Sequence, residues 1–282
     1  MNIALDSNVK AVEFNGSEVD IVEFNGVEVW RKVLPVPDTW NEKTWTGLTD
    51  FGGAYVWTDG DNIYYSNGSE QYVLDKSTST WTEKTWTGLT SFRGSYVWTD
   101  GDNIYYSSSS NQYVLDKSTS TWSVKTWNGL RNITGDRVWT DGENIYYSGG
   151  SYQYVLNKST STWTTKTWTG LTSFMGMFVW TDGDNIYYSY DSEQYVLDKS
   201  TSTWTTKTWT GLTSFNGTST WTDGENIYYS GSSSQYVLDK TTSTWSVKTW
   251  TGLTGFYGSS VWTDGTDIYY SSGTAQYVLV KP

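Results

Sequence analysis

Short runs of β-branched and aromatic residues, separated by Gly, Asp, Asn and Ser, fill most of this chain. Such runs predict strands, and the Asp59-Gly60 pair can adopt the positive φ angles of a tight hairpin turn. In the first unit of the pattern the predicted strands, named a to d, are Ala54–Thr58, Asn62–Ser66, Gln71–Asp75 and Thr80–Trp86. The pattern therefore indicates an antiparallel unit of four short strands.

This unit is repeated six times with a period of 41 residues. The tetrapeptide Trp-Thr-Asp-Gly begins at Trp57 and recurs at this spacing up to Trp262, without insertion or deletion. Four short strands in about 40 residues are typical of one blade of a β-propeller. The sequence therefore predicts an all-β fold in which residues 37–282 form a six-bladed β-propeller of four-stranded blades.

The two ends of the repeat region predict how the ring closes. The repeats begin with a d-type strand, Thr39–Trp45, and end with a c-type strand, Gln276–Val280. The last unit therefore lacks a d strand, and the N-terminal side has one in excess. We predict that the N-terminal d strand completes the last blade, because a closed ring leaves no open sheet edge.

The lead, residues 1–36, has a different pattern. Asn15-Gly16 and Asn25-Gly26 each lie between alternating apolar and acidic residues, which favours two hairpins. Two hairpins that share a strand form a three-stranded meander, which packs against a partner surface or self-associates. Pro35-Val36-Pro37 then provides a stiff spacer. We expect an N-terminal β-hairpin module with a proline linker.

The amino-acid composition excludes several kinds of functional site and argues against some partners. The chain has no Cys and no His, which excludes disulfides, thiol nucleophiles, His-based catalytic relays and zinc sites built on these residues. The formal net charge of −12, with only 18 Lys and Arg, argues against nucleic acid as a partner. No apolar run is long enough to insert into a membrane, and the N-terminus lacks the pattern of a signal peptide.

The repeat resembles the kelch repeat. Ile63-Tyr64-Tyr65-Ser66 is followed by Gln71-Tyr72-Val73-Leu74-Asp75, and Trp81 comes six residues after that Asp. Two departures are that Ser66-Asn67-Gly68 replaces the Gly-Gly of kelch blades and that the period is shorter. A sialidase-type repeat is similar but places the Asp one residue closer to the Trp. The resemblance implies a propeller but no particular activity, because such propellers serve unrelated functions.

The lead is also similar to short modules of structural proteins from tailed bacteriophages. The similarity rests on the paired Phe-Asn-Gly hairpins and on the Val29-Trp30 that follows them, ahead of a repeat domain. It implies that the lead attaches the propeller to other virion proteins. The expected location is the virion, or the cytoplasm if that resemblance does not hold.

Differences among the six units are concentrated in two connections. The a–b and c–d turns hardly change, whereas the d–a and b–c connections do. In an antiparallel meander these two pairs of connections emerge at opposite ends, so the variation falls on one face of the ring. Loops on a rigid scaffold often carry recognition. The alternative is neutral drift, although the opposite face, which we take to be equally exposed, remained constant.

The variable connections supply the candidate ligand-binding residues. Aromatic side chains suit sugar rings or apolar groups, and Arg with Asp can bond hydroxyls or carboxylates. The candidates are Arg93, Tyr96, Asp136, Arg137, Tyr152, Met175, Met177, Phe178, Tyr190, Asp191, Asn216 and Tyr257.

No catalytic or metal-ligating residue is predicted, and no cofactor is expected. Asp59-Gly60-Asp61-Asn62 offers oxygen ligands of the kind calcium prefers, but it coincides with a hairpin turn and lacks a closing acidic ligand. We expect a non-enzymatic phage tail or tail-tip protein that recognises a host-surface glycan or protein. The alternatives are a glycosidase-like or lyase-like enzyme with its site at the channel mouth, and a purely structural virion protein.

Overall fold

The computed structural model describes most of residues 38–281 and, in the lead, four short strands. Outside the description lie residues 1–12, 15–16, 19–20, 25–26, 32–37, 49–50, 52–54, 68–69, 90–91, 93–96, 109–110, 131–132, 134–136, 150–151, 172–173, 175–178, 191–192, 213–214, 216–219, 232–233, 254–255, 257–260, 273–274 and 282. The chain divides into two compact units, Met1–Asp38 with Lys281–Pro282, and Thr39–Val280. Each is described by itself.

The strands of the lead form two hairpins. These strands are β1 (Glu13–Phe14), β2 (Ser17–Glu18), β3 (Ile21–Phe24) and β4 (Val27–Arg31). The pairing joins β1 to β2 and β3 to β4. The expected three-stranded meander, with one strand shared by both hairpins, is not the pairing that the described residues of the lead adopt.

Residues 39–280 form six sheets of four antiparallel strands, arranged as the blades of a β-propeller ring. Blade 1 is β6 (Val56–Thr58), β7 (Ile63–Asn67), β8 (Glu70–Asp75) and β9 (Thr80–Glu83). Blade 2 is β10 (Val97–Thr99), β11 (Ile104–Ser108), β12 (Asn111–Asp116) and β13 (Thr121–Val124). Blade 3 is β14 (Val138–Thr140), β15 (Ile145–Gly149), β16 (Tyr152–Asn157) and β17 (Thr162–Thr165).

The remaining blades follow the same order. Blade 4 is β18 (Val179–Thr181), β19 (Ile186–Tyr190), β20 (Glu193–Asp198) and β21 (Thr203–Thr206). Blade 5 is β22 (Thr220–Thr222), β23 (Ile227–Gly231), β24 (Ser234–Asp239) and β25 (Thr244–Lys248). Blade 6 is β26 (Val261–Thr263), β27 (Ile268–Ser272), β28 (Ala275–Val280) and β5 (Thr39–Glu42).

The predicted closure of the ring is confirmed. Strand β5 pairs antiparallel with β28, with Trp40 opposite Leu279 and Glu42 opposite Tyr277. The backbone N–H of Trp40 also donates to the carbonyl of Thr251 in blade 5 at 2.9 Å. Strand β5 therefore completes blade 6, and its other side is bonded to the segment that leaves blade 5.

The outer strand of most blades is shorter than predicted. In blade 1 the prediction extends d to Trp86, but β9 ends at Glu83. The chain makes one more bond to strand c, from Lys84 N to Gln71 O, and then crosses to the next blade. There Thr87 O accepts from the N–H of Trp122 at 2.8 Å. The end of each outer strand is thus joined to the start of the next one.

The core lies between neighbouring blades. Trp262 and Tyr269 of blade 6 pack in one cluster with Ile63, Tyr65 and Trp81 of blade 1. Equivalent clusters fill the other junctions. Large aromatic side chains suit these gaps because each buries a large area against two sheets. The repeated Trp and Tyr are therefore packing residues. Within the described part of the chain, no helix is long and apolar enough to cross a membrane.

Candidate functional site

The antiparallel order of each blade separates the connections into two sets. The a–b and c–d turns emerge at one end of the blade, here called the constant face. The b–c and d–a connections emerge at the other end, here called the variable face. This is the arrangement that the sequence predicted.

Most of the predicted site residues lie outside the described residues. These are Arg93, Tyr96, Asp136, Met175, Met177, Phe178, Asp191, Asn216 and Tyr257. Arg137 is half-buried immediately before β14. Tyr152 begins β16 and is 64% exposed, and Tyr190 ends β19. All three lie at the variable face, but no described contact joins them, because they belong to different connections.

The a–b turn shows why the constant face is constant. The carboxylate of Asp59 is buried and accepts hydrogen bonds from the N–H groups of Asp61 and Asn62, at 3.0 and 2.7 Å, and from the Tyr64 hydroxyl at 2.9 Å. Thr58 Oγ1 accepts from Gly60 N and donates to Asn62 O. These bonds define a hairpin turn, and they account for the acidic and amide groups that suggested a calcium loop.

The c–d turn is fixed in the same way. Ser77 and Thr78 donate to the carboxylate of Asp75. The Lys that follows this Asp reaches the a–b turn of the preceding blade, as when Lys117 Nζ donates to the carbonyl of Asp59 and Lys199 Nζ to that of Asp141. On the constant face, hydrogen bonds hold these repeated polar residues.

In the a–b turn, the hydrogen-bonded Asp and Tyr shift each other's pKa in opposite directions. Burial by itself raises the pKa of Asp100, but hydrogen bonds from the N–H groups of Asn103 and Asp102 and from the Tyr105 hydroxyl outweigh it, so the pKa is lowered. Burial and the bond to Asp100 together raise the pKa of Tyr105. The turns at Asp59, Asp141 and Asp182 show the same pattern.

These shifts predict a pH window of stability. Because the pKa of Asp100 is below its ordinary 3.8, its contribution is present above that value and is lost as pH falls through the lowered pKa. Because the pKa of Tyr105 is above its ordinary 10.0, its contribution is present below pH 10.0 and is lost as pH rises. The midpoint temperature of thermal unfolding should therefore be nearly constant between pH 3.8 and pH 10.0 and should fall below and above this range. A midpoint that is unchanged on both sides of this range would contradict this.

On the variable face, two described positions differ between blades and flank one constant Tyr of strand c. In blade 1, Glu70 lies two residues before Tyr72, on the same side of the strand, and Glu83 lies opposite Tyr72. The first position holds Glu70, Asn111, Tyr152, Glu193, Ser234 and Ala275. The second holds Glu83, Val124, Thr165, Thr206, Val247 and Glu42.

A groove lies beside these positions, between the start of strand c and the connection that leaves strand d. In blade 2 its volume is 720 Å³, and its lining includes Asn111, Val124, Lys125, Trp127 and Leu130. In blade 4 the equivalent cavity is 280 Å³ and includes Glu193, Tyr195 and Thr206. We name this feature the blade groove. It lies at the predicted face but uses residues that the sequence analysis did not select.

The ammonium group of a Lys that is constant in all six blades is held by two contacts beside the groove. Lys125 Nζ lies 4.7 Å from the centroid of the Trp127 ring and donates to Ser161 Oγ of the next blade at 2.8 Å. Equivalent Lys–Trp pairs occur in all six blades. Since this ammonium group joins two blades, its repetition has a structural reason.

The variable residues change the surface of the groove. Where the second position holds Val, at Val124 and Val247, the neighbouring Trp127 and Trp250 are buried; where it holds Glu or Thr, the equivalent Trp is half-buried. In blade 1 the Tyr72 hydroxyl donates to Glu70 at 2.8 Å, which raises the pKa of Tyr72 to about 12. In blade 4 Tyr195 donates to Glu193 in the same way. The six blades thus share a frame, and the side chains that flank strand c differ from blade to blade.

In blade 1 two acids, Glu70 and Glu83, flank the constant Tyr72, whose hydroxyl donates to Glu70. Among the residues that the structure describes, no group of three or more His, Cys, Asp or Glu is arranged to hold a metal ion. Asp136 and Asp191, each of which occurs in one unit only, lie outside the described residues.

Comparison with known proteins supports the fold. No protein-family model matches the sequence, and no curated protein matches it. Among solved structures, the chain is similar to the extracellular domain of a protein assigned to the hybrid two component systems of B. thetaiotaomicron. The TM-score is 0.51 and the identity 10%, over 79% of this chain and 33% of that chain.

This chain therefore spans about a third of the length of that relative in structure. At this identity the similarity shows the fold alone. The fold defines a six-bladed β-propeller protein, with surface grooves beside the outer strands of blades 2 and 4.

Proposed function

We propose that the chain is a non-enzymatic binding protein of a phage tail or tail tip, which recognises a host-surface glycan or protein through the variable face. The observation that carries the proposal is that six blades share one hydrogen-bonded frame, whereas exposed side chains around the blade grooves differ from blade to blade. A rigid scaffold with a differentiated surface suits recognition.

The N-terminal part of the proposal rests on the resemblance of the lead to phage structural modules. In this proposal the lead, residues 1–36, attaches the propeller to other virion proteins, and the kelch-like repeats carry the binding face. Two short hairpins provide the strands with which such a module pairs or packs against a partner.

Binding of the full chain to host cells and to immobilised surface glycans tests the proposed face. A triple variant on the variable face, Arg93→Ala, Arg137→Ala and Tyr257→Ala, should lower retention at least about tenfold, since it removes anchors of the kind that dominate binding. The matched control on the constant face is Asp102→Thr with Asp184→Thr, because blade 6 carries Thr266 at this position.

The control should bind as the unaltered chain does. No binding to any host surface, or equal losses in both variants, would overturn the proposal. Removal of residues 1–36 should leave cell binding intact and abolish incorporation into particles; normal incorporation would remove the attachment function from the lead.

A further inference from the structure

One repeated side chain at the blade groove is exposed and has no hydrogen-bond partner among the described residues. Thr126 is exposed, lies between Lys125 and Trp127 and lines the groove of blade 2. The same residue type is present at all six equivalent positions, which are Thr44, Thr85, Thr126, Thr167, Thr208 and Thr249. Within the described residues, the hydroxyl groups of these threonines make no intramolecular hydrogen bond. Other constant hydroxyl groups have partners. That of Thr58, for example, donates to Asn62 O and accepts from Gly60 N within its own turn.

A second repeated hydroxyl lies in the same region. The Tyr of strand c stacks on the Tyr of strand b, as Tyr113 does on Tyr106 with ring centroids 6.1 Å apart, so its ring has a packing role. Its hydroxyl group has no partner within the described chain in four of the blades, at Tyr113, Tyr154, Tyr236 and Tyr277. In blades 1 and 4 the adjacent Glu accepts a hydrogen bond from this hydroxyl group. In blade 4 both side chains, Thr208 and Tyr195, line the groove; in blade 2 Thr126 lines it and Tyr113 lies opposite Val124 of the lining. Packing alone requires neither hydroxyl group.

The remaining surface of the groove favours a neutral ligand. The Lys125 ammonium is held by Trp127 and Ser161, and no carboxylate is among the described residues that line the groove of blade 2. Asn111 supplies an amide group, and Val124 and Leu130 supply an apolar wall. Hydroxyl and amide groups beside an apolar surface match the hydroxyl groups and the C–H face of a sugar ring.

We propose that each blade groove binds one neutral sugar unit, so that the ring holds a repeating glycan at several points. This inference rests on the proposed function and names its ligand class and its place. In this proposal each single contact is weak. Repetition around the ring converts weak contacts into avidity without any new contact.

The side chains that flank strand c predict which of the six proposed sugar sites bind more strongly. Blades 2 and 5 have an exposed Val beside a free Tyr hydroxyl, and they are three repeats apart and so on opposite sides of the ring. In blades 1 and 4 the Glu competes for the Tyr hydroxyl. Blades 2 and 5 are therefore the stronger sites. The change Glu70→Asn with Glu193→Asn, which copies Asn111 of blade 2, should raise avidity severalfold.

The test compares two sixfold variants of the full chain. Changing the six groove threonines to Val removes the hydroxyl groups and keeps the shape, whereas changing them to Ser keeps the hydroxyl groups. The probes are neutral glucans and galactans from disaccharides to long chains, together with a neutral peptide of Ser, Gly and Val. Binding is measured by calorimetry and on immobilised glycan, and thermal melting checks folding.

The Val variant should lose about a hundredfold in avidity for a long glycan, and the Ser variant should stay within about threefold of the unaltered chain. Glycan binding that survives the Val change but is lost in the Arg93, Arg137 and Tyr257 variant would overturn this inference and leave the proposed function standing. Binding of the peptide in place of any glycan would also overturn it. If no probe and no host surface is bound, both proposals fall.

Discussion

Replacing Gly170 by alanine is expected to destabilise the ring by about 4 kcal/mol, a large fraction of the stability of a typical domain. Gly170 has φ +85°, and a Cβ atom there would lie 2.0 Å from the carbonyl oxygen of Trp204 in the next blade. That oxygen is backbone, so either the crossing segment or the outer strand must move. Movement would break the bond from Trp204 N to Thr169 O, which joins the two blades.

Gly183→Ala is the matched control for this prediction. Gly183 has φ +93°, and no atom lies within 4 Å of the position that its Cβ would take. It should therefore lose only the conformational term, about 1 kcal/mol. Denaturant unfolding of both variants measures the difference, and equal losses would show that the close approach to Trp204 does not matter.

The two glycines illustrate how far the sequence could predict the fold. Both recur in every unit, and their repetition alone does not distinguish a turn glycine from an interblade contact. The blade count and the closing strand were predictable, because the repeats have a constant spacing and the terminal strands are of different types. The crossing from Glu83 to the next blade was not predictable, because Trp86 continues the apparent strand pattern.

The candidate site shows a different limit. Variation among the repeats predicted a site at one face of the ring, and the positions of Glu70 and Glu83, which differ between blades, flank the groove. The same criterion could not select Thr126 or Tyr113, because a residue that is identical in six units resembles a core residue in sequence. Only exposure and hydrogen bonding separate Thr126 from Trp122, which is 2% exposed. The missing signal was a constant, exposed residue with no hydrogen-bond partner among the described residues.

Deleting residues 1–43 is expected to open the ring, whereas deleting residues 1–36 is not. The longer deletion removes β5, in which Trp40 is 1% exposed and packs against Trp250 and Phe256, with ring centroids 5.7 and 5.3 Å away. Loss of a buried Trp alone costs about 3 to 5 kcal/mol, and the backbone bonds to β28 are lost with it. The uncovered edge of β28 should then pair with other copies.

The repeats provide a direct rescue of this deletion. A peptide of residues 38–48, added in trans, should pair with β28, restore the unfolding midpoint and return the chain to a monomer. A peptide of residues 79–89 should do nearly as well, because it carries Thr-Trp-Thr-Glu where β5 has Thr-Trp-Asn-Glu. The same peptide with Trp81→Ala should fail, because the Trp side chain fills the gap between blades. Denaturant unfolding and size-exclusion chromatography measure these outcomes. A 1–43 deletion that is monomeric and as stable as the 1–36 deletion would show that β5 does not hold the ring closed.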